Sequence, residues 1–413
     1  MKNFYYILAC LFLMSCSDSD TDNGVQSIFN PIDLSRAENN VANAQAQFSF
    51  RLVNQIAADN NDVNWVVSPF SSFVNLSMLA NGSSDELFPE FAEVLSLGEN
   101  ISVDDLNSYN RKMMAELSSI DSKTVFVTYN SCWVNEQYSV MTDFNANMNQ
   151  YYNSSVQKFN QQGLFSDAGH PINRWFTDKL QSPFIMKDNG MSNISAIIAN
   201  VTHFKGLWRE KFPENKTAKR SFTCYDGQKK QVESMYTETQ MFTHYSTDEC
   251  DVVSIPFGNN AFKMYLFLPD GDLNEFLCKF SYKDFSNLSM DMTAQNAVIQ
   301  LPKFKVEWDE TLTDYFAGMG FSKVLDSSIT NKFSNLYYTT DNLNEFISHQ
   351  SSTWFYIEES GAEAKSATSS AVGSDISMGP SKNVEFIVDR PFFYLIKESS
   401  TDAVIIAGTI FHL

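Results

Sequence analysis

Five histidines and six cysteines are the side chains of this chain best suited to acid–base, nucleophilic or metal chemistry. His170, His203, His244, His349 and His412 stand apart, with no HExxH pair that would set two imidazoles on one helix face. The sequence has no CxxC, no GxSxG nucleophile elbow and no phosphate-cradling GxxxxGK[ST] loop. Isolated histidines of this kind are usually satisfied structural groups. Cys132, Cys224, Cys250 and Cys278 either pair in an oxidising compartment or stay buried as small apolar groups, and their spacing does not choose. Nothing here requires a disulfide, a metal or a cofactor, and the expectation is a protein that is not an enzyme.

The segment with a chemistry of its own is EESGAEAKSATSSAVGS, residues 358–374. Its Ala, Ser and Gly content reads as a flexible linker. It nevertheless lies inside the chain, ahead of strongly apolar sequence that must pack, so it is a long loop within a domain, a feature that usually carries function. Read with period two, Ala362, Ala364, Ser366, Thr368, Ser370 and Val372 fall on one face. Glu363, Lys365, Ala367, Ser369 and Ala371 fall on the other. One face is small and uncharged, and both charges lie opposite. A strand of this pattern can slide between neighbours in a sheet, burying the small face and leaving Glu363 and Lys365 in water.

The elements that would position such a loop are legible around it. Val41, Ala44, Phe48, Leu52 and Ile56 recur at helical spacing and predict a helix over 36–58. Asn64–Val67 reads as a short strand. Ser68–Pro69 then opens a helix lined by Phe73, Leu76 and Leu79, with Ser as the cap and Pro in the first turn. Residues 194–205 and 251–269 are β-rich, and Thr311–Met319 is helical and stopped by Gly320. Val384–Lys397 and Ala403–Phe411 read as two strands joined by the turn Glu398–Asp402. No Pro/Gly-rich linker and no repeat divides the body, so one domain over 31–413 is expected, of mixed α+β class around antiparallel sheet.

Hydrophobic residues make 43% of the chain, enough for a sizeable core. A formal net charge of −20 argues against a nucleic-acid surface and against electrostatic docking on anionic lipid. The aromatic content of 14% leaves room for a glycan-binding surface protein, although runs such as Phe392–Phe393–Tyr394 read better as core. Residues 1–15 have a basic start and an apolar run, Phe4 to Met14, that is too short to span a bilayer. Leu13–Met14–Ser15–Cys16 resembles a bacterial lipobox, which would make 1–15 a signal peptide and Cys16 a lipidated N-terminus. Residues 16–30 read as an acidic flexible tether. Its Asp-rich start resembles the surface-export signal of outer-membrane lipoproteins of the Bacteroides group. The expected location is therefore the outer membrane, probing outward from a lipid anchor.

Several blocks, in order along the body of the chain, carry a family resemblance. Asn64–Ser71 (NWVVSPFS), Asn200–Trp208 (NVTHFKGLW), Ile255–Pro256–Phe257, Leu301–Pro302–Lys303–Phe304, Glu359–Ala364 (ESGAEA) and Asp389–Phe393 (DRPFF) together resemble the serpin family. The resemblance implies a single domain with three β-sheets, eight or nine helices and an exposed reactive loop near the C-terminus, about 359–382. It implies a suicide inhibitor of serine-type endopeptidases: the protease cuts the loop and forms an acyl-enzyme, and the loop inserts into the central sheet as a new strand. A non-inhibitory carrier or storage serpin is the alternative, which a bulky or charged inward hinge residue would have favoured; here the inward candidates are small or neutral. By the same resemblance Glu359, Gly361, Ala362, Glu363, Ala364, Ser366 and Thr368 form the hinge. Ser68, Ser71 and Asn200 match the polar cluster beneath the sheet opening, and Trp208 the tryptophan above it. Ser351 stands where the family usually has a histidine, with His349 two residues earlier. The family's usual spacing puts the reactive bond at Asp375–Ile376, within a window that includes Val372, Gly373 and Ser374. Those residues suit an elastase-like, subtilisin-like or aspartate-selective endopeptidase. No basic residue lies between 366 and 381, so a trypsin-like target is not expected. The protein is expected to be a monomer.

Overall fold

The computed structural model describes residues 29–413 apart from 189, 191–192, 346 and 363–383. Its first element, α1 (Arg36–Asp59), begins at a reciprocal cap: Ser35 accepts the Glu38 N–H and Glu38 accepts the Ser35 N–H. Val41, Phe48, Leu52 and Ile56 are fully buried along its stripe. β1 (Trp65–Val67) leads into α2 (Pro69–Gly82), where Ser68 takes the Ser71 N–H and Pro69 occupies the first turn. α3 (Phe88–Val94), α4 (Val103–Leu117), β2 (Thr124–Asn135), β3 (Ser139–Val140), α5 (Thr142–Tyr152), β4 (Val156–Phe159), α6 (Pro171–Leu180) and β5 (Ala196–Leu207) follow.

The second half is richer in strands. β6 (Ala218–Thr223), β7 (Lys229–Tyr236), β8 (Gln240–Ser246), β9 (Cys250–Pro256) and β10 (Phe262–Pro269) precede α7 (Leu273–Lys279) and α8 (Tyr282–Asp291). Then come β11 (Thr293–Pro302), β12 (Phe304–Thr311), α9 (Thr313–Met319), β13 (Tyr337–Tyr338), β14 (Gln350–Glu358), β15 (Gly361–Ala362), β16 (Val384–Ile387), β17 (Phe392–Glu398) and β18 (Val404–Ile410). Among the described residues this makes nine α-helices and three sheets.

The largest sheet has ten strands in the order β1-β18-β17-β10-β9-β8-β11-β7-β6, with β16 added parallel to β11. The six-stranded sheet runs β12-β14-β15-β5-β2-β4, and β13 pairs with β3 alone. Every residue of β17 and β18 is buried, which fits the apolar runs Phe392–Ile396 and Val404–Ala407. The two buried charges of β17 are compensated: Lys397 pairs with Asp402, and Glu398 accepts the backbone N–H groups and hydroxyls of Ser400 and Thr401. Helix α2 packs against both β5 and β18, so it bridges the two large sheets.

Two local expectations are refined. The helix expected over 311–319 starts at Thr313, because Thr311 continues β12 against Gln350. The single strand expected over 384–397 is two strands: β16 joins β11, and β17 joins β10 and β18. Pro391, which has no N–H to donate, sits at the break.

Candidate functional site

β14 and β5 are neighbours in the six-stranded sheet only through two residues. Gly361 pairs with Glu358 on β14 and Leu207 on β5; Ala362 pairs with Ile357 and Gly206. Both pairings are antiparallel, so β5 and β14 run parallel to each other, about two strand spacings or roughly 10 Å apart. Beyond Ala362 a cleft of about 920 Å³ lies between the two strands, lined on one side by Ile198, Asn200 and Thr202 and on the other by Ser351, Thr353 and Phe355.

Residues 359–362 are held firmly at the head of this cleft. Trp208, 2% exposed, stacks on Phe257 with ring centres 4.4 Å apart. Its Nε1–H donates to the Glu358 carbonyl at 3.0 Å and its backbone N–H to that of Ser360 at 3.1 Å. The Phe212 N–H donates to the Glu359 carbonyl at 3.1 Å. The Glu359 carboxylate accepts from the Thr217 hydroxyl at 2.7 Å and lies 3.1 Å from Lys303 Nζ. Burial pushes the Glu359 carboxyl up, but the bonds from Thr217 and Lys303 outweigh it and leave it below its ordinary range.

Gly361 has φ +153, and a Cβ there would sit 2.1 Å from the Gly206 carbonyl oxygen. Only glycine fits both the conformation and the approach of the two backbones. Ala362 is 1% exposed and shares its inward face with Gly206 and Ile357.

Beneath the cleft, hydrogen bonds tie α2 to both sheets. Ser68 Oγ donates to the Ile405 carbonyl of β18 at 2.8 Å. Ser71 Oγ donates to Asn200 Oδ1, and Asn200 Nδ2 donates to Thr128 Oγ1 at 2.8 Å and Asn130 Oδ1 at 2.6 Å on β2. Asn75 Nδ2 donates to the Ile198 carbonyl at 2.9 Å. The His349 ring packs edge-on against Phe316 at 5.0 Å, and burial pushes its imidazole down to about 4.

The structure thus brings Ser68, Ser71 and Asn200 into one network, and Trp208, Glu359, Gly361 and Ala362 into another. Cys16, Glu363, Ala364, Ser366, Thr368, Val372, Gly373, Ser374, Asp375 and Ile376 lie outside the described residues. Sequence reasoning missed Thr128 and Asn130, whose only local signal is their alternation on β2, and Thr217, which nothing nearby marks.

A family model described as Serpin (serine protease inhibitor) matches residues 43–413. A serpin-like protein of Methanosarcina mazei is 27% identical over 382 residues, covering 90% of this chain and 87% of the relative. The leukocyte elastase inhibitor of Xenopus laevis is 24% identical over 383 residues, covering 89% of this chain and 98% of its own length. The crystal structure of the thermophilic serpin tengpin in its native state shares the fold, with a TM-score of 0.77 at 22% identity over 94% of this chain and 97% of that one. A match that runs from residue 43 to the last residue of the chain identifies the protein as a member of the serpin family.

Proposed function

We propose that the protein is a covalent suicide inhibitor of a serine-type endopeptidase. The observation that carries this reading is the two-sided pairing of Gly361 and Ala362 with both β14 and β5 at the head of the cleft. Continued one residue at a time, the same register sets Ala364 between Phe204 and Phe355, Ser366 between Thr202 and Thr353, and Thr368 between Asn200 and Ser351. Those are the inward positions, and each receives a small side chain without charge. Glu363 falls beside Lys205 and Lys365 beside Trp354, on the solvent face.

In this register 363–372 would meet ten residues of β5 and 363–369 seven of β14, roughly seventeen cross-strand pairs at about 0.2–1 kcal/mol each, on the order of 10 kcal/mol. That is comparable with the whole stability of a typical domain, about 5–15 kcal/mol. Insertion of the cut loop therefore releases enough free energy to pull an attached protease and distort its active site. The protease serine attacks the scissile carbonyl, the peptide nitrogen leaves as a new N-terminus, and the ester persists because insertion outruns its hydrolysis.

The reactive bond in this reading is Asp375–Ile376 or a neighbour within 372–376, for an elastase-like, subtilisin-like or aspartate-selective enzyme. The name of the Xenopus laevis relative, leukocyte elastase inhibitor, supports the first of these. The reading extends to the leader: Cys16 is lipidated, becomes the mature N-terminus on removal of 1–15, and tethers a monomeric inhibitor to the outer membrane. Mass spectrometry of the mature N-terminus tests that extension.

The test of the inhibitory reading is a panel of elastase-like, subtilisin-like, chymotrypsin-like, trypsin-like and aspartate-selective proteases, read on denaturing gels and by intact mass. A denaturant-stable complex at the summed mass less the released peptide is the expected result, and the peptide names the bond. Clean cleavage with no complex and no thermal stabilisation of the cut form would overturn it in favour of a non-inhibitory serpin.

A further inference from the structure

Three donor side chains from distant parts of the sequence meet at one corner of the ten-stranded sheet. Cys224 and Asp226 lie in the turn between β6 and β7, and His412 follows β18. The Cys224 Sγ, a His412 ring nitrogen and an Asp226 carboxylate oxygen all lie within 4.8 Å of one another. We propose that these three side chains form a binding site for a zinc-class divalent cation.

The backbones that carry them are already fixed. The Cys224 N–H donates to the Gln228 carbonyl at 2.8 Å, the Gly227 N–H to that of Cys224 at 2.9 Å, and the Gln228 N–H to Asp226 Oδ1 at 3.0 Å. Gly227 has φ +82, the conformation this tight turn needs. On the other side, Asn64 Oδ1 accepts the N–H groups of Phe411 and His412, at 2.6 and 3.0 Å, while Asn64 Nδ2 donates to the His412 carbonyl at 2.6 Å. The Tyr225 N–H donates to the Phe411 carbonyl at 2.9 Å, which joins the two carriers directly. A ligand meeting these three groups finds little left to order.

The donor chemistry selects the ion. Thiolate, imidazole and carboxylate suit a tetrahedral zinc-type centre with metal–ligand distances of about 2.0–2.3 Å, reached by side-chain rotation from the present separations. Calcium and magnesium prefer six or more oxygen ligands and fit poorly. Asp226 is exposed and Cys224 buried, so a solvent water completes the shell from the open side. Binding displaces the Cys224 thiol proton to solvent. Thiolate and carboxylate then balance the dication, and affinity falls with falling pH.

The bound ion would clip the β6–β7 turn to the C-terminal residues. Thr223, next to Cys224, donates its N–H to the Asp389 carbonyl at 2.7 Å, so the same clip steadies the chain leaving β16.

Cobalt(II) titration of the purified protein, carrying no polyhistidine tag, tests the proposal. One equivalent of cobalt should raise a thiolate-to-metal charge-transfer band that zinc abolishes. Cys224→Ser should remove the band, and His412→Gln and Asp226→Asn should weaken binding by at least about tenfold. Cys278→Ser, which removes the exposed thiol among the described residues, should leave the band unchanged. Zinc should raise the melting midpoint of the wild type and not of Cys224→Ser. His412→Gln and Asp226→Asn carry the test if the buried position does not tolerate serine. The absence of a band, its survival in Cys224→Ser or in His412→Gln at wild-type affinity, or its loss in Cys278→Ser would overturn the site.

Discussion

Lys303 Nζ lies 3.1 Å from Oε2 of Glu359, pinning the turn between β14 and β15 to the link between β11 and β12. Since Thr217 also donates to this carboxylate, Glu359 is fixed from two elements. Glu359→Gln should cost about 1 kcal/mol at neutral pH, the usual scale for one charge-assisted contact that is partly exposed. The carboxyl is held below its ordinary range. Its contribution is therefore complete above the unfolded value of about 4.3 and disappears as pH falls through the lower folded value. Denaturant unfolding of both proteins at pH 7 and in stronger acid checks this: the gap between them should close at low pH.

Gly361 is the position where a single methyl group should matter most. A Cβ would meet the Gly206 carbonyl at 2.1 Å in a backbone conformation with φ +153. Gly361→Ala should cost about 1–3 kcal/mol in strain, or shift the seat of β15. Thermal melting reads the first effect. The fraction of a protease captured as covalent complex reads the second, with more of the variant consumed as plain substrate.

The fold was legible where local chemistry decides it. The stripe through Phe48 and Ile56 and the helix start at Ser68–Pro69 each bring their signal within a turn or two of chain, whereas the Ser35–Glu38 cap, equally local, was not read from the sequence. The break at Pro391 was not legible, because β16 and β17 separate by choosing partners, β11 and β10, that lie far off in the sequence. The same division runs through the site. The period-two pattern from Ala362 could be read directly, and Ala362 is buried facing Gly206 and Ile357. The Lys303–Glu359–Thr217 contacts and the Ser71–Asn200–Asn130 chain join distant residues, and no local pattern announces them. Cys224 and His412 are the extreme case, since only the sheet topology brings them together.

His349 gives the fold a second dependence on acid. Burial pushes its imidazole down to about 4, against about 6.5 in an unfolded chain. Between those values the unfolded state binds the extra proton, so stability is complete above pH 6.5 and falls as pH drops toward 4. At 1.36 kcal/mol per pH unit the loss reaches up to roughly 3 kcal/mol. His349→Gln should flatten the stability profile in this window. An unchanged slope in the variant would show that other groups set it.

Parity along the loop offers the sharpest separation of inhibitor from substrate. Inserted in the register of Ala362 with Gly206 and Ile357, Thr368 would face inward between Asn200 and Ser351, and Ala367 would face outward between Val201 and Ser352. Thr368→Arg would carry a guanidinium into the Ser71–Asn200 network, where an unpaired charge costs several kcal/mol. Ala367→Arg would put the same group on the opposite face, beside buried Val201 and exposed Ser352, where its long stem can carry the charge past Ser352 to water at a smaller cost. With a protease that the wild type traps, Thr368→Arg should be cleaved at an undiminished rate yet yield little covalent complex, while Ala367→Arg should trap as the wild type does. Equal trapping by both variants would mean that the strand does not enter the cleft in this register; equal failure would mean that the loop tolerates no bulk on either face. Because the substitutions are identical and adjacent, any difference between them reports which face enters the sheet.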